Sequence, residues 1–75
     1  MKYTVKDLME HKTHEDGDVL HIEIDGHNVA IFRTCSYAGS SRGNYFTLLV
    51  DGHAVASRCR FDVAIRKACD TLNQQ

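Results

Sequence analysis

A seven-residue motif occurs twice in this chain. Ile24-Asp25-Gly26-His27-Asn28-Val29-Ala30 returns 26 positions later as Val50-Asp51-Gly52-His53-Ala54-Val55-Ala56, with five of the seven positions identical. Each copy follows an apolar run and carries Asp-Gly. A two-residue hairpin loop of the favoured type needs positive φ at both central residues, and Asp-Gly meets that need at little steric cost. The repeat therefore predicts two β-hairpins that turn at residues 25–26 and 51–52. It constrains the fold and carries no chemistry of its own.

The turns fix a register. With a two-residue loop at 25–26, Ile24 faces His27, Ile22 faces Val29 and Leu20 faces Ile31. Side chains alternate along a strand, so these pairs share one side of the hairpin. The other side pairs Glu23 with Asn28, His21 with Ala30 and Val19 with Phe32. The same construction on the second copy pairs Val50 with His53, Leu48 with Val55 and Phe46 with Ser57. Its reverse side then holds Leu49 with Ala54, Thr47 with Ala56 and Tyr45 with Arg58. Val29 and Val55 are expected at equivalent places in the core.

Two helices complete the pattern. Thr4 followed by Asp7 resembles a capping box, and Tyr3 with Leu8 fits a hydrophobic staple. This first helix is expected to end near His11 or Lys12, where apolar periodicity gives way to a polar stretch with a tendency to disorder between Lys12 and Asp18. Phe61, Ile65, Ala68 and Leu72 share one face of a second helix, and Asp62 suits its N-terminal dipole or a cap. The expected fold is α+β, in the order α-β-β-β-β-α. It is a four-stranded antiparallel meander, built on the two Asp-Gly hairpins and packed with an N-terminal and a C-terminal helix. Residues 1–75 form a single domain.

Bulk properties bound the function. No run approaches the roughly 18 apolar residues that span a bilayer, and residues 1–7 lack the apolar core of a signal peptide. The expectation is a cytoplasmic protein without a membrane role. Cys35, Cys59 and Cys69 have no disulfide-type spacing and read as free thiols. Charge is unevenly placed: residues 1–32 carry three lysines against seven acids, and residues 33–67 carry six basic residues against two. The second half therefore has a local basic bias.

Candidate sites follow from these elements. The 36–44 loop is long for a hairpin connection and carries Tyr37 and Arg42, as a binding loop would, although a plain connector is the favoured reading. Among five histidines, His11 and His14 have a spacing that shares a helical face. His27 and His53 follow the two turns and are roughly 10 Å apart in a meander. Neither pair has the motif of a zinc site, and no metal or cofactor is expected. Cys35 beside a histidine is the nearest approach to a nucleophile and base. Nothing local marks it as activated, and so small a chain has little room for a substrate pocket, so the protein is read as not an enzyme.

The reverse face of the sheet is more informative. Both helices on one face would leave Phe32, Tyr45 and Leu49 exposed among alanines, with Arg58 at the edge. One helix on each face would cover them. The two-layer arrangement is the commoner solution and is adopted here. An uncovered apolar patch on a small protein marks a partner or a dimer interface. The sequence therefore reads as a small non-catalytic accessory protein, of the size of compact inhibitors or modulators of larger complexes. Its partner would be a protein or a second copy of itself, contacted through Phe32, Tyr45, Leu49, Tyr37, Arg42 and Arg58. The alternative is a nucleic-acid module, with Arg33, Arg42, Arg58, Arg60, Arg66 and Lys67 as a basic stripe and Phe32, Tyr37 and Tyr45 for stacking. A zinc-binding or enzymatic domain is the remaining reading.

Overall fold

A computed structural model describes residues 2–34 and 45–74. The elements run α1 (Val5–Glu10), β1 (Lys12–Glu15), β2 (Val19–Ile24), β3 (His27–Thr34), β4 (Tyr45–Val50), β5 (His53–Cys59) and α2 (Phe61–Asn73). The strands form one antiparallel sheet in the order β1-β2-β3-β4-β5. The α+β meander between two terminal helices is as expected, but the sheet has five strands rather than four.

The added strand is β1, within the stretch read as a polar connector. All four of its side chains are exposed, so no alternation of apolar residues announces it. Backbone pairing to β2 and the Asp16 turn hold it instead. Asp16 Oδ1 accepts from the Asp18 and Val19 amides at 2.7 and 2.9 Å, and the Asp16 amide donates to Val19 O at 3.0 Å. A short edge strand carrying Lys12, His14 and Glu15 also discourages pairing with a foreign strand.

The first hairpin has the expected register at all six pairs from Ile24–His27 to Val19–Phe32. Both turns adopt left-handed backbone at both central residues, with φ of 50° and 82° at Asp25 and Gly26 and 52° and 85° at Asp51 and Gly52. The second hairpin keeps register only next to its turn, where Val50 pairs with His53 and Leu49 with Ala54. Beyond that, two bulges shift β5. Leu48 pairs with Ala56 instead of Val55, and Phe46 with Cys59 instead of Ser57. The expected pairs Thr47–Ala56 and Tyr45–Arg58 are lost with them.

Val55 is therefore not the counterpart of Val29: it is 38% exposed, whereas Val29 is 1% exposed. The slips bring Ala56 and Cys59 against the core. An unslipped strand would have offered Ser57 there, whose hydroxyl would need a buried partner. Arg58 sits in the second bulge at φ 54°. Bulges of this kind twist an edge strand away from further pairing.

One core joins the sheet to both helices. Leu20, Ile22, Ile24, Val29, Ile31, Leu48 and Val50 meet Leu8 of α1 and Ala64, Ile65, Ala68, Cys69 and Leu72 of α2. Both helices therefore lie on the same side of the sheet. The capping box forms as expected, the Asp7 amide donating to Thr4 Oγ1 at 3.2 Å and the Thr4 amide to Asp7 Oδ2 at 3.1 Å. A helix of six residues is not stable alone, so it depends on Leu8 and on ties at its entry. Those ties come from the far end of the chain. Asn73 Oδ1 accepts from the Tyr3 amide at 2.6 Å, and Asn73 Nδ2 donates to Tyr3 O at 3.1 Å. Tyr3 Oη donates to Asp25 Oδ2 at 2.7 Å, linking α1 to the first turn.

Candidate functional site

The side of the sheet opposite the helices carries the residues out of phase with the core. Pairing arranges them in rows across the strands. His21, Ala30, Leu49 and Ala54 form one row, and Val19, Phe32 and Thr47 the next. Thr34 and Tyr45 form a further row toward one end, and Glu23 and Asn28 lie toward the other. No helix of the described residues covers this face. Phe32 and Leu49 are half-buried by their neighbours, and Tyr45 is 40% exposed.

Small side chains make this face uneven. A hollow of about 390 Å³ opens over Ala30 and Leu49, with Thr13, His21, Glu23, Asn28 and Gly52 around it. Phe32 and Tyr45 stand beyond its other side, nearer the β3–β4 end. At the β1 edge the His14 and His21 rings meet edge to face with centroids 6.3 Å apart. His14 Nε2 bonds to Asp16 Oδ2 at 3.0 Å. The Asp18 amide, then His14, holds the Asp16 carboxyl below the usual carboxylate range.

The expected site residues are thus partly gathered. Phe32 and Leu49 are diagonal neighbours across β3 and β4, and Tyr45 shares their face. Arg58 is displaced from Tyr45 by the bulges. Tyr37 and Arg42, with Cys35, lie outside the described residues. Three cations of the expected basic stripe, Arg33, Arg66 and Lys67, lie on the helix side of the sheet, away from Phe32 and Tyr45. Arg33 is on the helix side, where its Nε lies 3.2 Å from Asp18 Oδ1, its Nη2 donates to Gly17 O at 3.0 Å and its guanidinium lies over the Phe46 ring. Arg66 and Lys67 belong to the exposed side of α2.

His11, His14 and His27 take structural partners. His27 Nδ1 bonds to Asp51 Oδ2 at 2.8 Å, while Asp51 Oδ1 accepts from the Asn28 amide at 2.8 Å. The Asp51 amide donates in return to Asn28 O at 2.7 Å. The second turn is thereby stitched to the first hairpin, and the Asn28 amide, then His27, lowers the Asp51 pKa. His11 closes α1 with Nδ1 2.9 Å from Asp7 O, and His14 lies on β1. These two do not share a helical face, because the helix ends before them. Among the described residues no group of three or more His, Cys, Asp or Glu side chains is placed to hold a metal. Cys69 is buried in the core, which pushes its thiol pKa up, and Cys59 is half-buried with Sγ 3.6 Å from Phe46 O.

Ala30 and Ala54 are on this face as expected, whereas Gly52, read as a turn residue, and the edge residue Thr13 were not expected beside it. The hollow has no sequence signal of its own, because the pairing of Ala30 with Leu49 across β3 and β4 is fixed by neither Asp-Gly turn. No helix of the described residues is long and apolar enough to cross a membrane. No family model matches the chain, and no curated protein or solved structure is significantly similar to it.

Proposed function

We propose that this is a non-catalytic binding protein of the cytoplasm, which docks a protein partner on the uncovered face of its sheet and modulates the assembly it joins. One observation carries the reading. Both helices pack on the same side, so the opposite side presents Phe32, Tyr45 and Leu49, with a hollow over Leu49 and Ala30, and no helix covers it among the described residues. Contiguous apolar surface of this kind on a small protein is characteristic of interaction sites.

Less supports a nucleic-acid module. Phe32 and Tyr45 lie on one side of the sheet, whereas Arg33, Arg66 and Lys67 lie on the other, so these stacking groups do not converge with these three cations. The test is capture of host proteins by the wild-type chain and by Leu49→Arg. Leu49→Arg is expected to abolish capture of the specific partner and to leave the circular dichroism spectrum unchanged. Lys67→Glu, on the helix side, is expected to leave capture intact. Equal capture by wild type and Leu49→Arg would remove this face as the docking site.

A further inference from the structure

We propose that the sheet face is occupied by a second copy of this chain, packed face to face about a two-fold axis with the strands of the two sheets running antiparallel. The proposal rests on the reading of this face as an interface and names its occupant.

The argument is one of shape along the strands. The core-facing row Leu20–Ile31–Leu48 marks a midline. On the β3–β4 side of it stand the large side chains Phe32 and Tyr45. On the turn side lie Ala30, Leu49 and Ala54, and the hollow of about 390 Å³ that opens over Ala30, Leu49 and Gly52. The space beside Gly52 is open, with nothing within 4 Å of where a Cβ would sit. Ridge and hollow are thus displaced in opposite directions from the midline.

A two-fold axis in the interface plane, perpendicular to the strands at the midline, exchanges these two halves. Phe32 then seats against the partner's Ala30, and Thr47 against the partner's Leu49. Tyr45, three residues from the midline, reaches the partner's Gly52 at the second turn. A two-fold axis parallel to the strands would set ridge on ridge. Only the antiparallel arrangement makes the face complementary to itself, which an isologous contact requires. On β3 and β4 the residues nearest the axis, Phe32, Ala30, Thr47 and Leu49, carry no charge, so none at the centre is placed against its own copy.

The size of the face sets the strength. Five strands about 4.8 Å apart and six residues of about 3.3 Å each give a footprint of roughly 480 Å² per copy. Two copies bury roughly 1,000 Å², near the lower limit for a specific interface. Pairing is therefore concentration-dependent and, being apolar at its centre, does not weaken as salt is added.

Sedimentation equilibrium of the full chain tests this from about 10 µM to 1 mM, the range expected of a contact near the lower size limit. The wild-type mass is expected to rise from 8.5 kDa toward twice that value. Phe32→Ala removes the ridge and Ala30→Phe fills the hollow. Each alone is expected to weaken pairing by at least about tenfold. The double variant, Ala30→Phe with Phe32→Ala, exchanges ridge and hollow and is expected to recover pairing. Circular dichroism of each variant confirms folding. A wild-type mass that stays at 8.5 kDa overturns the proposal. So do single variants that pair like wild type, or a double variant that does not recover. If the chain stays monomeric while Leu49→Arg blocks capture of another protein, self-pairing falls and the interface reading stands. If Leu49→Arg changes neither, both fall.

Discussion

At the scale of single residues, the two aspartates of the repeated turn have diverged in role. Asp25 accepts from the Tyr3 hydroxyl, and Asp51 accepts from the Asn28 amide and His27. The folded state holds the Asp51 pKa below its ordinary value of 3.8. A depressed folded pKa contributes stability that is present above the unfolded pKa and is lost as pH falls through the folded one. Asp51→Asn keeps an oxygen acceptor and tolerates the left-handed turn, but it cannot titrate. It is therefore expected to fold at neutral pH and to flatten the fall of the melting temperature below about pH 4, where that carboxyl titrates. Melting curves across that acid range would refute the assignment if the variant lost stability as steeply as wild type.

Asn73 is the second residue whose role exceeds its size. Its side-chain amide makes both a donated and an accepted bond to the Tyr3 backbone, 70 positions away. Asn73→Ala breaks both and leaves partly buried backbone groups to water. The expected cost is about 1–2 kcal/mol in urea unfolding, from two bonds of about 1 kcal/mol each. Faster hydrogen exchange should be confined to α1. Uniform exchange across the sheet would show that the tie does not act on α1 in particular.

At the scale of elements, the second hairpin separates local from tertiary control. Its turn and first two pairs follow from Asp-Gly and alternation, as in the first hairpin. Its far end does not, because β5 is an edge strand with only one neighbour to hold it in register. Bulging lets Ala56 and Cys59 meet the core at the expense of Val55. The two valines of the repeat should then respond differently to the same change. Val29→Thr buries a hydroxyl without a partner and is expected to cost about 1–3 kcal/mol. Val55→Thr, in water, is expected to stay within about 0.5 kcal/mol. Chemical denaturation of the two variants checks this, and equal losses would contradict the bulged register.

The strand missed at residues 12–15 has the converse explanation. Apolar periodicity reports burial, and β1 buries nothing, so pattern reading has no purchase on it. The Asp16-Gly17-Asp18 turn was the only local sign of a hairpin there. Its interpretation needed β2 to be recognised as a template with a free edge.

At the scale of the whole molecule, the decisive fact is which side the helices take. Both helices have an apolar stripe, and either side of a two-faced sheet has positions to receive one. Tertiary packing resolves the choice: Leu8 and Leu72 join a single core, and Asn73 fastens the start of the chain to its end. Among the described residues, no helix covers the Phe32–Tyr45 side as a result. Partner capture with Leu49→Arg and the exchange of residues 30 and 32 are both tests at this scale, since neither change touches the core.

By itself, the sequence determined what is local. It set two left-handed turns at Asp25-Gly26 and Asp51-Gly52, the register of the first hairpin, the Thr4 cap and the apolar stripe of α2. Each depends on backbone sterics or on the period of side chains within a few residues. Only the tertiary structure decided the fifth strand, the bulges that expose Val55, the placing of both helices on one side and the hollow beside Phe32. These depend on which surfaces meet across the sheet, and burial there is shared among residues far apart in the chain.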